Sequence, residues 1–210
     1  GGAGPEGPAS LALDRVMEIL TGSAVGVVAI LALFPRHARQ AFSLQAREAA
    51  GEAAALLALV LRADTGDAVE LHRRHTAMKK RLDALGQAAS GVIDLPGAQK
   101  ETADRAALVR AFWRVRSDIV ILGRGFQVSG ASQRLKPWTD ATARAVARLE
   151  ALSRGEAGEA MGEPDPVLTL GAPETGGDLA RGAAAIGLAH MHRDLDDLGE
   201  RFRDLKLVWT

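Results

Sequence analysis

Apolar residues recur along most of the chain in steps of three and four, a pattern that predicts helices packed side by side. Five segments show it, at about Ala38–Arg62, Asp67–Ser90, Glu101–Val128, Pro137–Ser153 and Asp178–Lys206. No run of alternating apolar and polar residues is long enough to predict a strand, and the short VLTL run at 167–170 would have no partner strand. The sequence therefore predicts an all-α fold.

Each segment places its apolar residues on one face, which predicts the core of a bundle. The predicted seams are Phe42, Ala46, Ala49, Ala53, Leu56 and Val60; Leu71, His75, Met78, Leu82, Leu85 and Ala89; Leu108, Phe112, Val115, Ile119, Leu122 and Phe126; Trp138, Thr142, Ala145, Leu149 and Leu152; and Leu188, Met191, Leu195, Leu198, Phe202, Leu205 and Trp209. Gly and Pro interrupt the pattern at 91–97, and the Gly- and Pro-rich stretch 155–177 predicts a flexible loop.

A different pattern precedes these segments, because Val16–Phe34 is apolar on all sides and carries only one charge, Glu18. As a helix it would be about 28 Å long, close to the thickness of the hydrocarbon core of a bilayer. Pro35 ends the run, and Arg36 and Arg39 follow it. The segment therefore predicts a transmembrane helix whose C-terminal side lies in the cytoplasm, since positive residues favour that side.

Two alternatives compete with the transmembrane helix. A secretory signal peptide would carry its basic residues before the apolar run, whereas here the basic cluster follows it. A buried core helix of a soluble protein would also be apolar on all sides. Gly22 and Gly26 form a Gly-x-x-x-Gly pair, which would let another membrane helix approach closely and favours the membrane interpretation.

These patterns divide the chain into three parts. Residues 1–13 predict a disordered linker or a cloning remnant, with the natural protein continuing upstream; residues 14–35 predict the transmembrane helix. Residues 36–210 predict a cytoplasmic, antiparallel bundle of about five helices. Arg15, Glu18, Arg36 and Arg39 are predicted at the membrane interface.

Composition and charge exclude several classes of protein. Lys+Arg and Asp+Glu both number 26, so the chain lacks the basic surplus expected of a nucleic-acid binder. The absence of cysteine removes disulfides, thiolate metal sites and cysteine nucleophiles. The sequence contains no serine hydrolase order, P-loop, dinucleotide-binding glycine pattern or HExxH motif. We therefore predict no enzymatic activity and no cofactor.

Candidate binding residues have an ordinary explanation beside the functional one. His72 and His75 are three apart on a predicted helix and could share a metal, which would suit a metal-dependent bundle enzyme, but no third ligand is visible and His72 is predicted to point away from the seam. His190 and His192 are two apart and fall on different faces. Glu18 is either a proton-coupling carboxylate or an interfacial residue.

Two basic clusters also carry alternatives. Arg110, Arg114, Arg116 and Arg124 accompany Phe112 and Trp113, and their guanidinium groups either bind a carboxylate or phosphate or form a solvated face with Asp104 and Asp118. The second predicted helix holds HRRH at 72–75 followed by Lys79, Lys80 and Arg81. This basic face either meets anionic lipid headgroups or is solvated.

The run LDRVMEILTGSAVGVVAILALFP, followed by a long Ala- and Leu-rich helix, resembles the fusaric acid resistance / aromatic acid exporter family. The resemblance rests on Arg15 before the membrane helix, Gly22 and Gly26 within it, and Pro35 at its end. It implies export of small, often aromatic, carboxylic acids across the bacterial inner membrane. It also implies assembly with other membrane helices and further subunits, with this chain supplying the last membrane helix and the C-terminal soluble region.

The leading prediction is therefore a piece of an inner-membrane efflux transporter whose bundle is a cytoplasmic assembly or gating platform. Its expected partners are membrane lipid, other membrane helices of the same transporter and further copies of itself, without nucleic acid. The alternative is a soluble all-α interaction or scaffold protein in which Val16–Phe34 is a core helix.

Overall fold

The computed structural model of the chain describes residues 8–62, 68–90, 99–129, 136–156 and 178–207. They form five helices: α1 Pro8–Arg62, α2 Ala68–Ser90, α3 Gln99–Ser129, α4 Lys136–Arg154 and α5 Asp178–Asp204. These ranges contain no strand, so the predicted all-α fold is confirmed. The rest of the predicted loop, residues 157–177, lies outside the described residues.

The first helix differs from the prediction at both ends of the apolar run. α1 begins at Pro8, inside the stretch predicted as a linker, and it continues through Pro35, where the sequence predicts a break. A proline within a helix removes one backbone hydrogen bond, and the helical residues on both sides maintain the remaining ones. The chain divides after Gln40 into two compact units, and residues 41–210 form the larger one.

The larger unit is a helical bundle built on the predicted seams. Every seam residue whose side chain is described is buried except Leu71, His75 and Leu205, which are half-buried; Phe126 and Trp209 lie outside the described side chains. Alanines 46, 49, 50, 53 and 54 of α1 are all at most 3% exposed. Because alanine adds little bulk, this stripe lets neighbouring helices approach the α1 backbone closely. Phe112 and Phe202 meet edge to face at 6.0 Å.

Contacts fix the directions of the first three helices. Arg81 of α2 pairs with Glu48 of α1 at 2.6 Å and Arg74 pairs with Glu52 at 3.3 Å, so α1 and α2 are antiparallel. The guanidinium of Arg105 in α3 lies 5.0 Å from the centre of the Phe42 ring. At the other end of the same pair of helices, Gly123 of α3 faces the side chain of Val60. Therefore α3 runs parallel to α1.

The remaining helices pack on α3 and on each other. Arg114 of α3 pairs with Asp194 of α5 at 2.9 Å, and Gly187 of α5 faces Ile121, so α3 and α5 are antiparallel. Arg148 of α4 faces Gly199 of α5. His192 of α5 lies near the backbone of Ala141 in α4, so these two consecutive helices are parallel. Parallel neighbours need a connection as long as a helix, and residues 155–177 supply that length.

Among the described residues, no helix combines the length and the apolar character needed to cross a bilayer. The transmembrane helix predicted over residues 14–35 therefore has no support from this finding. In the part of that segment whose side chains are described, Arg15, Glu18, Thr21 and Ser23 interrupt the apolar residues. The side chains of residues 27–37 lie outside the described ones.

The last described turn is tied to the first bundle helix. A turn follows the end of α5 at Asp204: Lys206 has a positive φ of 54°, and the Leu207 amide donates to the carbonyl of Phe202 at 2.8 Å. Arg47 of α1 donates from Nε and Nη2 to the carbonyl oxygen of Leu207, at 3.2 and 2.7 Å. This pair of hydrogen bonds joins positions 160 residues apart in the chain.

Candidate functional site

The described part of the apolar segment, residues 15–26 of α1, exposes its apolar side chains. Val16, Met17, Ile19, Leu20 and Val25 are between 53% and 66% exposed. At about 100° per residue these five positions point to all sides of the helix. The core-helix alternative would require burial of these residues, and it stays a prediction.

The predicted membrane-contact residues are also accessible where they are described. A Cβ built on Gly22 or Gly26 would meet no atom of the described residues within 4 Å. Arg15, Glu18 and Arg39 are exposed, while the side chain of Arg36 lies outside the described ones. Their roles in helix packing and at a membrane interface remain predictions.

The arginines of α3 separate into different environments. Arg114 bridges Asp194 and Asp197 of α5, so its partners are on another helix and are not the predicted Asp104 and Asp118. Arg110 is exposed. Arg116 and Arg124 lie on the other side of α3, facing α2. The predicted cluster is therefore not a single site.

Asp118 is instead a buried carboxyl group, only 5% exposed, at the contact between α3 and α5. Burial, the neighbouring Asp194 carboxylate and a hydrogen bond shared with it together raise the pKa of Asp118 to about 7, against the opposing effect of Arg114. Its Oδ2 has no hydrogen-bond partner among the described residues. Near neutral pH the Asp118–Asp194 pair therefore holds an exchangeable proton.

Two helical stripes form a groove between α2 and α3, which we call the α2–α3 groove. Its lining consists of Leu71, His72, His75, Thr76 and Lys79 from α2 and Arg116, Val120, Gly123 and Arg124 from α3. The sequence predicts that His72 points away from the apolar seam that contains His75, whereas the structure places both histidines along this groove, which extends beyond the seam. A Cβ on Gly123 would lie 3.4 Å from Val60, so the floor is tightly packed.

The α2–α3 groove is strongly basic. None of its lining residues is acidic, and the one ion pair at its edge joins Lys79 to Asp83 at 3.2 Å within the described part of the chain. Burial lowers the pKa of the half-buried His75, and the positive charge of Arg116 and the neighbouring His72 lower it further. The Nδ1 of His75 and the Nε of Arg116 are buried without a hydrogen-bond partner among the described residues.

The structure adds no support for metal binding by His72 and His75. Across the helical ranges that the structure describes, no three His, Asp or Glu side chains converge as a metal site would require. His190 is exposed and His192 is 1% exposed, so these two occupy different faces as predicted. Burial and the charge of Arg144 lower the pKa of His192, which favours its neutral form.

Sequence patterns contain signals for both features that the prediction missed. Asp118 lies three residues after Val115 and four before Leu122, both members of the predicted seam, so the same alternation already placed it towards a neighbouring helix. His72, His75 and Lys79 lie within two turns, and Arg116 and Arg124 lie just over two turns apart. What the spacing does not contain is which helices face each other.

Comparison with family models, with curated proteins and with solved structures found no match to this chain. The exporter resemblance therefore rests on Arg15, Gly22, Gly26 and Pro35 alone.

Proposed function

We propose that the chain is a membrane-associated helical module in which the apolar segment 16–34 contacts lipid and other membrane helices and the bundle is its platform. The observation that carries this proposal is the exposure of Val16, Met17, Ile19, Leu20 and Val25. Burying an apolar side chain of this size contributes about 1.5–3 kcal/mol relative to leaving it in water. Five such side chains within one short part of α1 favour a partner that covers this part of the helix.

The bundle supports the same proposal because its core is complete without the segment. The buried cluster of apolar residues begins at Phe42 and extends to Leu207. It takes residues from all five helices, and its members at α1 positions 42–60 are nearly all 0–3% exposed. The exposed residues 16–25 are thus a surface available to something other than the core.

The finer proposal is that the assembly is an inner-membrane efflux transporter of the aromatic acid exporter type. Its support is the resemblance at Arg15, Gly22, Gly26 and Pro35. The chain would supply one membrane helix, with the region after Pro35 in the cytoplasm and Arg36 and Arg39 at the inner leaflet. The bundle would act as an assembly or gating platform in a homo-oligomer, with no chemistry on the substrate and no cofactor.

A second candidate function is a scaffold in which the segment pairs with a copy of itself in solution. The open Gly22 and Gly26 face favours it, since small residues spaced four apart allow close helix contact in water as well as in lipid. Glu18, Thr21 and Ser23 would be easier to accommodate there than in hydrocarbon.

A charge placed on the segment tests the leading proposal. We expect Val25→Asp to reduce the partitioning of the full chain into phosphatidylcholine vesicles by roughly 100-fold, because an aspartate at the centre of a membrane helix costs about 3 kcal/mol. Flotation of vesicles through a density gradient measures the bound fraction. Leu44→Asp is the matched control, since Leu44 is 56% exposed against 63% for Val25 but belongs to the bundle.

The wild-type chain and the control should float with the vesicles, and Val25→Asp should stay at the bottom of the gradient. A wild-type chain that is monodisperse without detergent and does not float would contradict the membrane proposal. If that soluble chain is a dimer which Gly26→Leu dissociates, the scaffold function replaces it.

A further inference from the structure

We propose that the α2–α3 groove is a binding site for a phosphate group, carried either by a small soluble molecule or by a lipid headgroup. This site belongs to the bundle and does not depend on the membrane proposal. Its basic residues lie on two helices: His72, His75 and Lys79 on α2 face Arg116 and Arg124 on α3. These five side chains line one cavity.

The cavity has the size of a small-ligand site. Its volume is about 360 Å³, at the lower end of the range typical for ligand pockets. Leu71, Val120 and Gly123 supply apolar lining, and the histidines, Lys79 and the two arginines supply the basic lining. A compact anion with a small organic part would fit this distribution of apolar and charged surface.

Charge is the strongest argument for an anion. Arg116 and Arg124 form no ion pair within the described part of the chain, whereas Arg74, Arg81, Arg114 and Arg201 elsewhere in the bundle each do. Like charges that face each other across a groove repel, and the folded chain tolerates this repulsion without an internal acidic partner. A bound anion would remove the repulsion.

Unsatisfied polar atoms point the same way. The Nε of Arg116 and the Nδ1 of His75 are buried and unpaired among the described residues, and a buried donor without a partner is costly. The guanidinium of Arg116 also lies 5.5 Å from the centre of the Trp113 ring, which restrains its orientation. A small shift of either side chain towards a bound oxyanion would provide the missing acceptors.

Phosphate fits this set of donors better than a carboxylate does. One arginine satisfies a carboxylate through two parallel hydrogen bonds, leaving the second arginine and both histidines unused. A phosphate monoester carries close to two negative charges and three acceptor oxygens near neutral pH. It can therefore accept from Arg116 and Arg124 together and from a histidine ring.

Titration calorimetry of the full chain with inorganic phosphate tests the site. We expect saturable binding, and we expect Arg116→Gln and Arg124→Gln each to weaken it about tenfold through loss of a charged hydrogen bond. Arg110→Gln is the matched control on the same helix, because Arg110 is exposed and outside the groove. NMR of the histidine ring signals should shift His75 on adding phosphate but not His190.

The same titration with benzoate separates phosphate from carboxylate, and vesicles separate the two sources of phosphate. Absence of saturable phosphate binding, equal loss in Arg110→Gln, or benzoate binding as tightly as phosphate would each overturn the proposal. The vesicle arm uses the Val25→Asp background, so that the apolar segment does not contribute. Vesicle binding that needs phosphatidic acid and Arg116 identifies the headgroup; phosphate binding without it identifies a soluble ligand.

Discussion

Asp118 is the residue at which the structure departs most from an ordinary charged surface. Its carboxyl group is buried between α3 and α5, beside Asp194 and near Arg114, and its pKa is raised from an ordinary 3.8 to about 7. The folded chain therefore keeps a proton that the unfolded chain releases. Between about pH 4 and 7 this difference makes the free energy of unfolding decrease as the pH rises.

Asp118→Asn should remove this dependence, because an amide stays neutral at every pH while filling the same space. We expect the variant to be more stable than the wild type by about 2 kcal/mol at pH 8, and the two to converge towards pH 4. Urea unfolding of both chains at pH 5, 6, 7 and 8 measures the difference.

Burial lowers the pKa of His75 and His192, and their contribution has the opposite sign because it is lost as the pH falls below about 6.5. Subtracting the free energy of unfolding of Asp118→Asn from that of the wild type at each pH cancels the contribution of both histidines, because both chains contain them. Asp204→Asn, which removes an exposed carboxyl group of α5, serves as the control. Its free energy of unfolding should change with pH as steeply as that of the wild type. A variant whose slope equals that of the wild type would show that Asp118 ionises normally.

At the scale of helices, the contact between α4 and α5 depends on a missing side chain. A Cβ on Gly199 would overlap the Nη2 atom of Arg148 and lie 3.1 Å from its Cζ. Arg148 is 4% exposed, and burial lowers its pKa. A buried guanidinium cannot swing into water, so glycine at this position allows the two helices to approach.

Gly199→Ala should destabilise the bundle by about 1–3 kcal/mol, the usual cost of overpacking, although alanine is the better helix former. Thermal unfolding followed by circular dichroism measures it. In the Arg148→Met background, where the guanidinium is absent, the same substitution should become neutral or stabilising. Gly86→Ala on α2 is the control, because a Cβ there would meet nothing within 4 Å and should only stabilise.

The helices themselves were predictable from spacing, whereas their partners were not. The steps of three and four predicted the ends of α2 to α5 to within two residues, and the end but not the start of α1, because one buried face leaves a periodic trace in the sequence. That trace does not contain the identity of the facing helix. For this reason Arg114 was expected to pair along α3, and it instead pairs with Asp194 on α5.

For the molecule as a whole, residues 41–210 form a compact unit with its own core. We expect a chain lacking residues 1–40 to unfold cooperatively at a temperature within a few degrees of the full chain, because no core residue is removed. Calorimetry measures both transitions. Loss of the transition in the shorter chain would favour the alternative in which the apolar segment completes the core.

Candidate sites were less predictable than the fold at this scale. The α2–α3 groove needs α2 and α3 to be neighbours, and the chain alone places His75 and Arg116 forty-one positions apart without indicating a contact. The apolar segment could be recognised from the sequence, because its composition distinguishes it and its partners are not needed. A local feature is thus read from the sequence, and a feature shared by two helices is not.

The hydrogen bonds from Arg47 to the Leu207 carbonyl have a consequence for biosynthesis. A ribosome synthesises Arg47 long before Leu207, so these hydrogen bonds form only after Leu207 has left the exit tunnel. We expect the bundle to close only at that stage.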